Sequence, residues 1–249
     1  MNLIIYIIFF ITLAIIYIRS YNTEEQNKIL CEEMYLINLD KRPDRLKTTM
    51  GNLNQYNYNN VRRFKAIDSS KFTDDEISSY TQFYARNPIY DNKRTEHHQL
   101  SRGAIGCYLS HLELWKDMTK NKKEKIVIFE DDTLPTINKN EIDDILAKVP
   151  EDWDIILFGG IYRDSNNVFD EIYKLNSFFC MHAYIIKNTK NVENLITKAL
   201  PMDMQIDSYL TKLAKEGKLN IYGIYSKRHG MWGQNPKINN TNIQTPMIK

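Results

Sequence analysis

Three carboxylates, Glu130, Asp131 and Asp132, follow directly on the apolar run Ile126-Val127-Ile128-Phe129. Residues two apart share a face in an extended segment, so Glu130 and Asp132 point the same way. Like charges held that close repel unless something neutralises them, and a divalent cation with oxygen ligands is the usual solution. Mg²⁺ or Mn²⁺ bound in this manner keeps positions for phosphate oxygens and stabilises a departing diphosphate as a Lewis acid. The plainer alternative is a solvated turn closing a strand, and phosphatases, nucleases and sugar transferases all use acids placed this way. Asp203 and Asp207 lie four residues apart, a spacing that sets two carboxylates on one helical face. Arg42 and Arg45 offer the planar donor fork that suits diphosphate oxygens, or else are two surface charges on a helix. Late in the chain His229 precedes Trp232-Gly233-Gln234, a segment placed to close over a ligand.

The acids need a rigid support, and the pattern supplies one. Met34 to Leu39 reads as a short buried strand, followed by the turn-prone Asp40-Lys41-Arg42-Pro43 and a helix that begins at the proline. Residues 71 to 100 are polar and rich in Tyr, a helix followed by a loop. Ile105, Leu109, Leu112 and Trp115 recur at helical spacing, which predicts an amphipathic helix from Gly103 to about Met118 with Ser101 near its start. Ile126 to Phe129 is then a central buried strand, Ile155 to Phe158 another, and Phe178 to Ile186 a longer one. Thr189 caps a helix with the face Val192, Leu195, Ile196 and Leu200; Ile206, Leu210 and Leu213 mark a last helix ending at Gly217. Strands alternating with helices predict an α/β fold on a largely parallel sheet, with the chemistry at the carboxyl ends of the strands. Trp115 and Trp153 read as core, and Trp232, in a loop with Gly233, as an aromatic on the acceptor side.

Composition narrows the partners. With 33 basic and 31 acidic residues in 249 and a net charge of +2, no overall field selects nucleic acid. Cys31, Cys107 and Cys180 are an odd count at wide spacing and suggest neither a zinc site nor a disulfide framework, so they read as buried thiols. Leu3 to Ile18 is apolar or Tyr throughout and closes at Arg19. At about 1.5 Å per residue it is roughly 24 Å long as a helix, somewhat less than a ~30 Å hydrocarbon core. No basic residue precedes it and no small-x-small cleavage site follows, so an uncleaved single-pass membrane anchor over residues 1–19 is expected over a signal peptide, then a polar stem over 20–32 and one domain over 33–249. The flanking charge leaves the side of the membrane open: lumenal, type II, in a eukaryotic-like setting, where the sequon Asn239-Asn240-Thr241 would count.

The order of motifs says more than any one of them. YLINLDKRPDRL (Tyr35 to Leu46), FKAID (Phe64 to Asp68), LSRGAIGCYLSHLELWK (Leu100 to Lys116), IVIFEDD (Ile126 to Asp132), DWDIILFG (Asp152 to Gly159), AYII (Ala183 to Ile186) and PMD (Pro201 to Asp203) together resemble glycosyltransferase family 25, over roughly residues 34 to 235. That family includes lipopolysaccharide-type and collagen galactosyltransferases. The resemblance implies a GT-A-like, Rossmann-like domain, a UDP-sugar donor, Mn²⁺ or Mg²⁺ as cofactor, and inverting transfer of a hexose, galactose by family weight, to a hydroxyl of a glycan or of hydroxylysine. Carried over by position, Glu130, Asp131 and Asp132 fall on the metal and diphosphate motif, with Asp132 and Glu130 as metal ligands and His229 as a further candidate. Asn38, Arg42, Arg45, Asp68, Ser110 and His111 fall on donor-side motifs, although Leu109 and Leu112 beside His111 leave a structural histidine equally open.

Asp203 is the expected general base, with Asp207 as second choice; Asp203 as the cap of the following helix is the competing reading. The sequence departs from the family at Gly103-Ala104, where Gly-Glu is usual, which removes the reciprocal half of a capping box with Ser101. Two rivals stand beside the transferase: a metal-dependent phosphohydrolase built on the same acids, and a family member that binds UDP-sugar without catalysis.

Overall fold

The computed structural model describes residues 10–13 and 33–235. Apart from four helical residues at 10–13, the apolar run, the stem and the Asn239 sequon lie outside the described residues, as does Cys31. Among the described residues no helix is long and apolar enough to cross a membrane.

A six-stranded sheet carries the molecule. Strand β1 (Met34–Asn38) leads into helix α1 (Pro43–Gln55), which starts at its proline, and returns through β2 (Val61–Lys65). A 3-10 turn (Ser69–Lys71) and α2 (Asp74–Tyr80) follow, then a second 3-10 turn (Phe83–Ala85) and α3 (Asn87–Tyr90). Helix α4 (Arg102–Lys120) is capped by Ser101, whose hydroxyl accepts from the Ala104 amide at 3.1 Å, so half of the capping arrangement survives. Next come β3 (Lys125–Glu130), the short β4 (Thr133–Leu134), α5 (Lys139–Leu146), the long strands β5 (Ile155–Phe169) and β6 (Ile172–Lys187), α6 (Lys190–Thr197) capped by Thr189, α7 (Ile206–Lys215), β7 (Ile221–Ile224) and β8 (Gly233–Gln234).

The sheet order is β2-β1-β3-β6-β5-β7. All of its strands run parallel except β6, which is antiparallel to both β3 and β5. The sheet is therefore mixed, though largely parallel. The alternation of apolar runs did not reveal the reversal, because β5 continues past Phe158 through polar residues and turns into β6 as a hairpin. That hairpin curls back so that Ile172 to Lys174 also pair with β7, and the Tyr162 hydroxyl inside the curl lies 3.2 Å from the Leu157 carbonyl and 3.1 Å from that of Ile224.

Period-2 alternation divides the core between the two faces. Ile126 and Ile128 with Tyr184 and Ile186 pack against Leu109, Leu112 and Trp115 of α4 and against α6 and α7. Val127 and Phe129 with Ala183 and Ile185 pack on the opposite face with Leu53, Ile142 and Trp232. Trp115 and Trp153 are core, as read. Trp232 corrects the acceptor-side expectation: it is 1% exposed and stacks on Phe129 with ring centroids 5.6 Å apart and planes at 7°, with Tyr58 edge-on at 5.1 Å. Gly159 admits it, since a Cβ there would stand 2.2 Å from the Trp232 carbonyl oxygen.

Candidate active site

The parallel register sets Ile37 of β1 against Glu130 of β3, and the antiparallel register sets Ala183 of β6 against Phe129. The next residues along, Asn38, Asp131 and His182, therefore meet at one edge of the sheet, at its carboxyl side. A cavity of ≈ 270 Å³ opens there. Its wall is shared by the end of β1, the loop from Ala66 to Ser70, the start of α4 and the three acids. The loop lies directly on α4 because position 106 is glycine: a Cβ there would stand 2.4 Å from the Ile67 carbonyl oxygen.

The acids divide, although the expected extended run stops at Glu130 and Asp131-Asp132 form a turn between β3 and β4. Asp131 turns toward α1, where its carboxylate accepts from Arg45 and from Asn38, both at 2.8 Å, and its carbonyl accepts from the Thr49 hydroxyl at 2.6 Å. Asn38 also donates to the Arg42 carbonyl and accepts from Arg63 at 3.1 Å. Asn38 and Arg45 thus fasten Asp131 to β1 and α1. Glu130 and Asp132 meet His182, their ligand atoms all within 4.8 Å of one another, and Asp132 Oδ2 also stands 3.7 Å from Arg45. Asp132 is 7% exposed, and its Oδ1 has no hydrogen-bond partner among the described residues. Burial first, and the charge of Glu130 second, push the Asp132 carboxyl up to about 6. Burial also acts to raise Glu130, but His111 and His182 beside it outweigh that and hold its carboxyl well below the usual range.

His111 is fully buried, with Nε2 3.3 Å from Glu130 Oε1 and Nδ1 2.8 Å from the Tyr184 hydroxyl. Ser110 donates to the Gly106 carbonyl and accepts from the Ile67 amide at 2.9 Å, tying the loop to α4. Asp68 caps the 3-10 turn through the Ser70 amide and hydroxyl and pairs with Lys41 at 2.9 Å. The Ser70 hydrogen bond first, opposed by burial and aided by Lys41, keeps its carboxyl below the usual range.

Several expected residues stand elsewhere. Arg42 turns away from the cavity into a bidentate pair with Asp44, at 3.0 and 2.8 Å, because a partner two residues on lies within easy reach of its fork. His229 sits 3.4 Å from Glu141 on α5 and belongs to none of the candidate metal groups among the described residues. Asp207 is buried in the first turn of α7, where its oxygens accept from the amides of Cys180 and Ser208 at 3.0 and 2.7 Å; these contacts occupy it as a structural clamp rather than as a base. Asp203 does not cap α7, whose cap residue is Gln205; it accepts instead from the Tyr84 hydroxyl at 2.8 Å and lies outside the cavity wall. Cys107 and Cys180 are free thiols, and Cys107 lines the cavity.

Two charged wall residues and a histidine beside the acids escaped the sequence reading. Lys41 and Arg102 put cations around the cavity, and both lie inside the motifs noted above, where nothing in type or spacing sets them apart from other surface cations. His182 lay between motifs, and only the β3–β6 register brings it to Glu130.

The fold is α/β with paired acids at a strand end and cations around the adjoining cavity, and comparison with known proteins gives its family. Residues 31–217 match the family model described as Glycosyltransferase family 25 (LPS biosynthesis protein). The chain belongs to glycosyltransferase family 25. A glycosyltransferase 25 family member of Aedes aegypti is 27% identical over 145 residues, covering 54% of this chain and 22% of that protein. Procollagen galactosyltransferase 2 of Homo sapiens is 25% identical over 145 residues, covering 53% and 21%. A Bos taurus relative named probable inactive glycosyltransferase 25 family member 3 is 26% identical over 137 residues, covering 53% and 22%. The matched stretch is thus little more than a fifth of these relatives' length. Among solved structures, A197 from STIV superposes with a TM-score of 0.43 at 11% identity, covering 87% of this chain and 98% of that one. A UDP-glucose pyrophosphorylase complexed with UDP-glucose gives 0.39 at 10% identity, covering 77% and 90%. Likenesses this shallow carry no functional information.

Proposed function

We propose that this chain is a metal-dependent, GT-A-like glycosyltransferase that moves a hexose from a UDP-sugar to a hydroxyl acceptor with inversion. One observation carries the reading: a buried carboxylate oxygen of Asp132 without a hydrogen-bond partner among the described residues, beside Glu130, in the wall of a cavity that Lys41 and Arg102 also line. A divalent cation held by Glu130 and Asp132 would supply Lewis-acid stabilisation of the leaving diphosphate. The chain's own groups do the rest. Lys41 and Arg102 offset the diphosphate charge, and the start of α4 adds the partial positive charge of a helix N-terminus. Asp131 keeps β1, α1 and the acidic strand end in one rigid unit. His111 and Ser110 serve the donor side through the groups they hold, Glu130 and the Ala66 to Ser70 loop, and Asp68 keeps Lys41 in place.

Asp203 is the proposed base that takes the acceptor proton, in a single displacement at the anomeric carbon. Galactose is the proposed sugar, since relatives are named procollagen galactosyltransferases; the acceptor is a glycan or a protein hydroxyl. The apolar N-terminal run is the proposed single-pass anchor.

A binding-only role has one observation in its favour, the position of Asp203 outside the cavity wall. Asp132→Asn tests the central reading: it should weaken Mn²⁺-dependent UDP binding while Mn²⁺-independent binding is unchanged. Equal Mn²⁺ dependence in variant and parent would remove Asp132 from the site.

A further inference from the structure

Two histidines border Glu130, and their surroundings give them different tasks. His111 has both ring nitrogens engaged. Trp115 Nε1 can only donate, and does so to the Tyr184 hydroxyl at 2.9 Å. The Tyr184 proton is then free to point at His111 Nδ1, 2.8 Å away, which accepts it in the tautomer that gives the buried hydroxyl proton a partner. The ring proton is left on Nε2, facing Glu130 at 3.3 Å. In this tautomer His111 has no lone pair to offer a cation at Glu130.

His182 differs in each respect. It is 5% exposed, its Nδ1 lacks a hydrogen-bond partner among the described residues, and that nitrogen stands 4.0 Å from Glu130 Oε2. Its placement is built. Ala183 pairs with Gly159 and Phe179 with Ile161, so Cys180, Met181 and His182 together oppose Gly160 alone. A bulge of this kind re-aims side chains. This one includes Cys180 at a φ of 64°, a conformation unusual for a residue with a side chain, and Asp207 fastens it through the Cys180 amide at 3.0 Å.

We propose that His182 is the nitrogen ligand of the divalent cation held by Glu130 and Asp132, and that His111 is a positioning residue that orients Glu130 from behind. This rests on the metal-dependent reading above. At 4.0 Å the two atoms are too far apart to hydrogen-bond to each other and close enough for both to be drawn onto one cation. The hydrogen bond from His111 matches the way ligating carboxylates are oriented by their outer partners.

Pulsed EPR of the Mn²⁺-loaded full chain tests the assignment, with thermal unfolding used to confirm that each variant folds. The parent should show histidine-nitrogen modulation, and His182→Gln should lose it. His111→Leu should keep the modulation but bind Mn²⁺ about 10–100-fold more weakly. His111→Gln, which retains an N–H donor, should recover part of that affinity. In the unvaried metal-free protein, imidazole ¹⁵N spectra should show His111 with its proton on Nε2. Modulation that survives in His182→Gln and disappears in the His111 variants would overturn the proposal. Bound Mn²⁺ with no nitrogen modulation in the parent would also overturn it while leaving metal-dependent transfer intact. Absence of Mn²⁺ binding together with EDTA-insensitive turnover would remove both the proposal and the reading beneath it.

Discussion

Of the three consecutive acids, Asp131 and Asp132 have opposite electrostatic circumstances and predict different phenotypes. Asp131 is the structural one. Removing it as Asp131→Ala deprives buried Arg45 of the carboxylate at 2.8 Å, with Asp132 next at 3.7 Å. Urea unfolding should show a loss toward the lower end of about 3–5 kcal/mol. A loss under about 1 kcal/mol would mean that the pair contributes little to holding β1 and α1. Asp132 behaves oppositely. Its folded pKa of about 6 lies above the reference 3.8, so the metal-free protein loses stability as pH rises between those values. Asp132→Asn should therefore raise the melting temperature of metal-free protein at pH 7.5, by an amount worth roughly 3 kcal/mol at most, and leave it unchanged below pH 4. A gain that persists at low pH would not come from this titration. Asp203→Asn should cut turnover by about 10²–10⁴ and leave UDP affinity alone, if the residue is the base. Turnover within a few-fold of the parent would exclude that role.

At the scale of elements, sequence and structure agree where an element is long, apolar and capped, and part company where tertiary pairing decides. The helix at Arg102–Lys120 was legible from the spacing of Ile105, Leu109, Leu112 and Trp115, and its start from Ser101. The end of β1 and the acidic end of β3 were legible for the same kind of reason. Strand β2, with Arg62 and Arg63 exposed at the sheet edge, has no apolar run to betray it. The reversal of β6 and the bulge at Cys180 to His182 arise from pairing between segments far apart in sequence, so the second histidine beside the acids was hidden. His229, chosen for its place late in the chain, is instead drawn to Glu141. Gly106 is the sharpest element-scale test. Alanine favours the helix by about 1 kcal/mol over glycine, yet its methyl would meet the Ile67 backbone at 2.4 Å. Because that loop lines the cavity, Gly106→Ala should weaken UDP binding at least about tenfold while stability changes by no more than about 1–3 kcal/mol. Unchanged affinity would mean that the loop can retreat without consequence.

For the molecule as a whole, the mixed sheet gathers groups remote in sequence along a single carboxyl-side edge. Asn38 closes β1, Asp68 follows β2, Glu130 ends β3 and His182 lies in the bulge of β6. The near balance of 33 basic and 31 acidic residues leaves the cations that matter concentrated at this edge rather than spread as a field. The most direct test is turnover of a panel of UDP-sugars by the purified full chain, with Mn²⁺ and with EDTA, followed as UDP release. The account predicts release of UDP from one hexose donor, UDP-galactose by expectation, in the presence of Mn²⁺ and its loss with EDTA. Turnover indifferent to EDTA, or no binding of any UDP-sugar with Mn²⁺ present, would contradict it.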